Sequence, residues 1–341
     1  MSGHIGGFGT RKKSRSTPTE RIVNAGTPLK IKHDKAICYS GFREGQSPGS
    51  GIYPTYAEIK EDLLILQGHW KYLRLYDCDP HTEMVLEVIE QERLDFRVML
   101  GAYIGAEMNN FGCPWGGAYS EAELAENRAR NVEQINKLIR LANAHPETVF
   151  SLSAGNEATV HWTDHYVPVE RVIEYVRMIK REARQPVTFC ENYVPWLDQL
   201  DGLAQEVDFI SIHTYPVWEY KNIHEALDYT KQNYYSVAER HPEKTVVITE
   251  AGWATNSNGK GIDPDNVSQG HQEFYYNELM NWTAEEQILC FVFEAFDEPW
   301  KGSHEPLEPE KHWGLFTVDR QPKKVMEKAC ARLSNLDKKI T

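Results

Sequence analysis

Eight times along this chain a short apolar run rich in β-branched residues gives way to a longer stretch with helical spacing. The strand-like runs cover residues 36–40, 72–77, 96–103, 148–157, 186–191, 207–213, 245–253 and 288–294. Between and after them, 55–70, 81–94, 121–144, 169–183, 223–240, 269–283 and 323–336 carry apolar residues at helical intervals, with a shorter helical piece near 196–204. Alternation of this kind predicts a parallel sheet covered by helices. Eight units predict an α/β fold closed into a single (β/α)8 TIM barrel. An open doubly wound sheet is the alternative, but the glycine-rich phosphate turn expected after its first strand is absent. No Pro/Gly-rich linker divides the units, so residues 35–341 are expected to form one catalytic domain.

Residues 1–34 read differently. They are rich in Gly, Ser, Lys and Arg, and are expected to be a disordered tail, native or artificial. Their first 32 residues hold no apolar core of the length an export signal needs. The chain would then be cytoplasmic if complete, and secreted, periplasmic or at the cell surface if a signal has been removed.

Of the 341 residues, 41% are hydrophobic and 26% charged, the balance of a soluble globular protein. No apolar run approaches a membrane span. The formal charge of −13 argues against a nucleic-acid partner, which needs a basic footprint, and suits a neutral ligand. The six Cys form no CxxC pair and are expected to be buried free thiols.

Two carboxylates stand out, Glu157 and Glu250, each where an apolar run meets polar residues. Carboxyl ends of barrel strands are where such folds build active sites. A pair of carboxyls there is what glycoside cleavage needs, one to protonate the leaving oxygen and one to attack or to activate water. An ordinary loop glutamate explains either motif alone. Together, on the fourth and seventh of eight units, they point to a catalytic pair. Asn156 can hydrogen-bond a sugar hydroxyl, Gly252 permits an unusual turn, and Trp253 offers a flat face for a sugar ring.

The end of the eighth run, Phe293-Glu-Ala-Phe-Asp-Glu-Pro-Trp-Lys301, reads as a rim for a polyhydroxylated ligand, with Glu294, Glu298, Trp300 and Lys301 as candidate contacts. Tyr39, Tyr76, Asp77, His213 and Tyr215 also fall at strand ends, and seven of the nine Trp fall in or near loops after strands. Phe111 and Trp115 lie in a Gly-rich insert and can wall a groove. His161 and His165 have helical chelate spacing, but the order HExxH is absent, so no metal and no cofactor are expected.

In order, Tyr39-Ser-Gly-Phe-Arg-Glu-Gly-Gln-Ser-Pro48, Arg74-Leu-Tyr-Asp77, Gly155-Asn-Glu157, Thr249-Glu-Ala-Gly-Trp253, Phe293 to Lys301 and His312-Trp-Gly-Leu-Phe316 resemble glycoside hydrolase family 17. That family holds the β-1,3-glucanases and related β-1,3-glucanosyltransferases. The variants here are closer to its fungal and bacterial members. The resemblance implies a retaining mechanism with Glu157 as acid/base and Glu250 as nucleophile. It implies that Asn156, Tyr39 and Tyr215 line the subsite of the attacked sugar, and that Glu298, Lys301 and Glu310 surround the nucleophile. Phe296-Asp-Glu298 departs from the plant pattern, and Glu294 is an extra acid. The expected partner is a neutral β-glucan, laminarin-like, acted on by a monomer. Transfer to a sugar acceptor uses the same carboxylates and stays open as an alternative. A non-catalytic glucan-binding barrel would need neither glutamate.

Overall fold

The computed structural model describes residues 28–340, and side chains as far as 332. Most of the expected tail, residues 1–27, lies outside the described residues. Residues 28–34 run without regular structure to the first strand, with Leu29 and Ile31 packed on the core and the Leu29 carbonyl accepting from Thr245 Oγ1 at 2.5 Å.

Eight parallel strands form a closed barrel: β1 Ala36–Cys38, β2 Tyr72–Leu75, β3 Arg97–Gly101, β4 Val149–Asn156, β5 Val187–Asn192, β6 Ile210–His213, β7 Val246–Ala251 and β8 Cys290–Val292. The helices are α1 Tyr56–Leu66, α2 Pro80–Gln91, α3 Glu121–Ala144, α4 Val169–Glu182, α5 Asp201–Glu206, α6 Ala226–Arg240, α7 Gln269–Glu285 and α8 Lys324–Ile340. This is the (β/α)8 TIM barrel that the alternation predicts. The fifth unit is its thinnest: the expected piece near 196–204 resolves into a 3-10 turn, Pro195–Leu197, followed by the single short helix α5. β8 is shorter than its apolar run because from Phe293 onward the chain turns to meet the loop 309–317, where Leu315 N donates to the Glu294 carbonyl.

Local chemistry sets the helix starts. Thr55 with Glu58 and Ser120 with Glu123 form reciprocal capping boxes at α1 and α3, satisfying donors that a helix start leaves unpaired. Asp79 caps α2, with Pro80 at its first turn. α4 shows why these segments coat the sheet: Val172, Tyr175, Val176 and Ile179 recur at helical spacing, all are buried, and the helix packs on β4 and β5.

Five cysteines are buried, Cys330 is half-buried, and all six are free thiols. The tryptophans do not all serve the rim. Trp196, Trp253 and Trp313 are among the largest fully buried side chains, part of the core rather than of a groove. Among the described residues no helix is long and apolar enough to cross a membrane.

Candidate active site

Arg74, on β2, is buried at the centre of the carboxyl-terminal mouth. Its Nη1 donates to Glu250 Oε1 and, at 3.2 Å, to the Thr249 carbonyl, while its Nη2 donates to Asn156 Oδ1. The guanidinium lies 4.3 Å over the Tyr76 ring. Arg is suited to this place because its planar fork can hold two partners at once and keeps its charge when buried. The Tyr215 hydroxyl donates to the other oxygen of Glu250, Oε2. His213 Nδ1 sits 2.9 Å from Glu157 Oε1 and 3.5 Å from Glu250 Oε2, between the two carboxylates.

These contacts fix charge states. Burial alone pushes the Glu250 carboxyl up, but the charges of His213 and Arg74 and the Tyr215 hydroxyl bring it down to about 2. Burial alone lowers His213, but the Glu250 charge, hydrogen bonding to Cys190 and Glu157, and the Glu157 charge together outweigh it and carry the imidazole up to about 10. Near neutral pH Glu250 is therefore ionised and His213 protonated. Glu310, on the half-buried loop after β8, is pushed up to about 7 by burial against the pull of Lys301, with Glu157 and Glu250 adding repulsion.

The backbone delivers the carboxylates unevenly. His213 pairs in register with Glu250, next to a register shift between β6 and β7. Further shifts occur between β4 and β5 before Asn156 and between β7 and β8 around Glu250. Such irregularities re-aim side chains beside active sites. Glu157 follows β4 with φ of 46°, a left-handed conformation uncommon for a residue with a β-carbon, held by its N–H on the Cys190 carbonyl at 2.9 Å. Gly252, after Glu250, does not adopt such a turn. It is required by proximity: a β-carbon there would lie 2.1 Å from the Phe293 carbonyl oxygen.

The structure brings several of the candidate residues together. Glu157, Glu250, Asn156, Tyr215, Tyr76 and Glu310 all face this cluster. Others need correction. Trp253 is 1% exposed, donates from Nε1 to the Asn266 carbonyl at 2.9 Å and packs on Tyr275, so its face is closed to a sugar. Tyr39 is also 1% exposed, because its hydroxyl turns inward to Asp62 Oδ2 at 3.0 Å. Asp77 is half-buried, and one oxygen of its carboxylate, Oδ1, accepts from the backbone N–H groups of Cys78 and Tyr103, at 2.7 and 3.2 Å, tying the ends of β2 and β3 together.

The rim acids are likewise internal. Glu294 and Glu298 are buried and share Lys301, which lies 2.7 Å from Glu294 Oε2 and also pairs with Glu298. Burial and the neighbouring Glu298 charge push Glu294 well above the carboxylate range, while Lys301 and hydrogen bonds outweigh burial and hold Glu298 low. Ser40 and Trp300 Nε1 also donate to Glu298 Oε1, the latter at 2.9 Å. This network shapes the loop and leaves the Trp300 ring 39% exposed at the rim. In the sequence Arg74 lies within one motif and His213 at a strand end, with no individual role for either. Their signal was a cationic or ionisable residue inside a strand otherwise fit for burial.

One oxygen or nitrogen from each of Glu157, His213 and Glu250 lies within 4.8 Å of the others, a spacing open to a cation. The donor set does not fit one well: Glu250 already accepts from Arg74 and Tyr215, and both Arg74 and protonated His213 bring positive charge to the point a metal would occupy.

The chain as a whole is similar to known proteins. The chain is 24% identical over 307 residues to a glucan 1,3-beta-glucosidase of Arthroderma benhamiae, spanning 83% of this chain and 88% of that one. It is 25% identical over 295 residues to a putative glucan endo-1,3-beta-glucosidase, btgC, of Aspergillus niger, of whose length it covers 40%. In three dimensions it matches an endo-laminarinase from Formosa Hel1_33_131 with a TM-score of 0.75 and 26% identity, over 91% of this chain and 88% of that one. A β-1,3-glucanosyltransferase of Rhizomucor miehei shares the fold, with a TM-score of 0.65, 21% identity and coverage of 85% and 96%. The model of the BtgE/BtgC glycoside hydrolase domain matches residues 36–314, nearly the whole barrel, and the chain belongs to that family.

Proposed function

We propose that this protein is a retaining glycoside hydrolase of β-1,3-glucan, of the family 17 type. The observation that carries the mechanism is the approach of the carboxylates: one oxygen of Glu157 and one of Glu250 lie within 4.8 Å. Retaining sites hold their carboxyls about 5–5.5 Å apart, whereas inverting sites need about 6.5–9.5 Å to admit a water. The substrate class rests on the relatives, which carry β-1,3-glucosidase and laminarinase names. The −13 charge of the chain also favours an uncharged ligand.

Glu250, already ionised, attacks the anomeric carbon. Glu157 gives its proton to the departing glycosidic oxygen, and the sugar is left as an ester on Glu250. Glu157, now a carboxylate, takes a proton from a water that attacks the same carbon, and Glu250 is released. Arg74 and Tyr215 keep Glu250 aimed, each from one of its oxygens. Asn156, gripped by Arg74, faces the place of the sugar's 2-hydroxyl, where a hydrogen bond strengthens as positive charge grows on the ring.

The test is a time course on laminarin and on defined β-1,3-oligosaccharides, with NMR of the first product. β-Configured product, with the linkage cleaved throughout, supports the reading. Oligosaccharides longer than the starting material would assign the chain to glucanosyl transfer. An α-configured first product, or cleavage only of other glucans, overturns it.

A further inference from the structure

The loop between β3 and α3, residues 102–120, displays two aromatic rings to solvent: Phe111 at 85% and Trp115 at 67% exposure. A single exposed apolar side chain is ordinary, but two large aromatic rings four residues apart on one fastened loop offer an apolar surface to a ligand. The loop holding them is fastened. Glu107 is buried, and its carboxylate receives Arg171 Nε at 2.8 Å and Asn131 Nδ2 at 2.9 Å. Asn109 closes the loop on itself, donating to the Tyr119 carbonyl at 2.9 Å and accepting from the Tyr119 N–H at 2.6 Å.

The tip then rests on the loop that leaves Glu157. Asn110 Nδ2 donates to the His161 and Thr163 carbonyls, both at 2.8 Å, and Cys113 Sγ donates to the Trp162 carbonyl at 3.0 Å. Rings held on an ordered loop bind with little loss of freedom, which makes the display useful for capturing a ligand. The segment beneath the tip is the one that leaves the active site at Glu157. His165 Nε2 lies 3.0 Å from the Asn156 carbonyl, and the Tyr103 ring packs on His165 with centroids 5.1 Å apart.

Its side of the barrel identifies the occupant. Glu157 protonates the oxygen that departs, so the leaving part of the chain lies on the flank of Glu157, and Glu250 lies under the part that stays. The Phe111–Trp115 loop sits on the Glu157 flank. Resting on the glucanase reading above, we propose that Phe111 and Trp115 form an outlying platform for the leaving-group side of a β-1,3-glucan, stacking on sugar rings beyond the one next to the scissile bond. The apolar faces of glucose rings fit such surfaces without charge, which agrees with an acidic protein and a neutral polymer.

The full chain and its Phe111→Ala/Trp115→Ala variant would be compared on laminarihexaose and on an aryl β-laminaribioside, whose one-ring leaving group does not extend to the loop. At about tenfold per stacked ring, kcat/KM on the hexasaccharide should fall about tenfold or more. The aryl substrate should change by less than about twofold, since truncating exposed rings leaves the core intact. Equal changes on both substrates, or none on the hexasaccharide, overturn the platform while the glucanase reading stands. Self-association of the wild type that vanishes in the variant, with kinetics unchanged, assigns the rings to a second copy and overturns it too. A wild type that cleaves no β-1,3-glucan fails the reading itself, and the platform with it.

Discussion

Glu250 carries a negative charge in a buried site because Arg74 and Tyr215 donate to it and the charge of His213 lies beside it. In the proposed mechanism, removing the carboxylate removes the covalent step. Glu250→Ala should lower kcat by more than about a thousandfold, and azide should restore part of the rate as an α-glycosyl azide appears in the product analysis. Glu157→Gln keeps the shape and loses the proton. It should slow cleavage of laminarin far more than that of aryl glucosides with good leaving groups, which need no protonation. Steady-state rates on the two substrates decide this, and equal losses would remove Glu157 from the acid role. Arg74 acts through Glu250. Because the charges of His213 and Arg74 hold that carboxyl down at about 2 against burial, Arg74→Met should raise it. The acid limb of the kcat/KM profile should then move to higher pH, with Arg74→Lys moving it less. A lowered plateau with an unmoved limb would leave Arg74 a packing role only.

At the scale of elements, the site depends on how β7 meets β8. Gly252 sits against the Phe293 carbonyl, and Trp253 fills the space between β7 and α7, packed on Tyr275. Trp253→Ala should therefore cost about 3–5 kcal/mol of stability, as for a large core side chain. Urea unfolding measures this. A variant of unchanged stability but weakened glucan binding would restore the sugar-platform role that the sequence suggests. The misreading has a plain cause. Residues 245–253 are an apolar run that ends in Glu-Ala-Gly-Trp, which fits a rim equally well with the indole turned out or in. Only the neighbouring helix, which supplies Gln272 and Tyr275 to that space, decides between them. The same holds for Glu294 and Glu298: a run of acids after a strand reads as a rim, and the half-buried Lys301 that turns them inward is visible only once the loop closes.

At the scale of the molecule, the protein carries −13 and acts on an uncharged polymer in the reading above. Binding of laminarihexaose to an inactive Glu250→Gln variant should change little between low and high salt, because no counterions are released from a neutral ligand. Turnover should survive EDTA, since the oxygens that would hold a cation are occupied by Arg74 and Tyr215. Calorimetry across a salt series and an assay after chelation test both, and a rate lost to EDTA and restored by one divalent ion would put a metal in the mouth of the barrel.

The (β/α)8 order is legible in the sequence, because apolar β-branched runs and helical spacing are local patterns that recur eight times. The sequence also placed Glu157 and Glu250 at the ends of the fourth and seventh strands, since strand ends are where apolar patterning stops. What it left undecided was direction. Whether Tyr39, Trp253 and Glu298 face the cleft or the core turns on partners far along the chain: Asp62, Asn266 and Ser40. The charge states of Glu250 and His213 depend on Arg74, brought to them from another strand by barrel closure. Burial and electrostatics are properties of three-dimensional neighbourhood, and no local pattern encodes them.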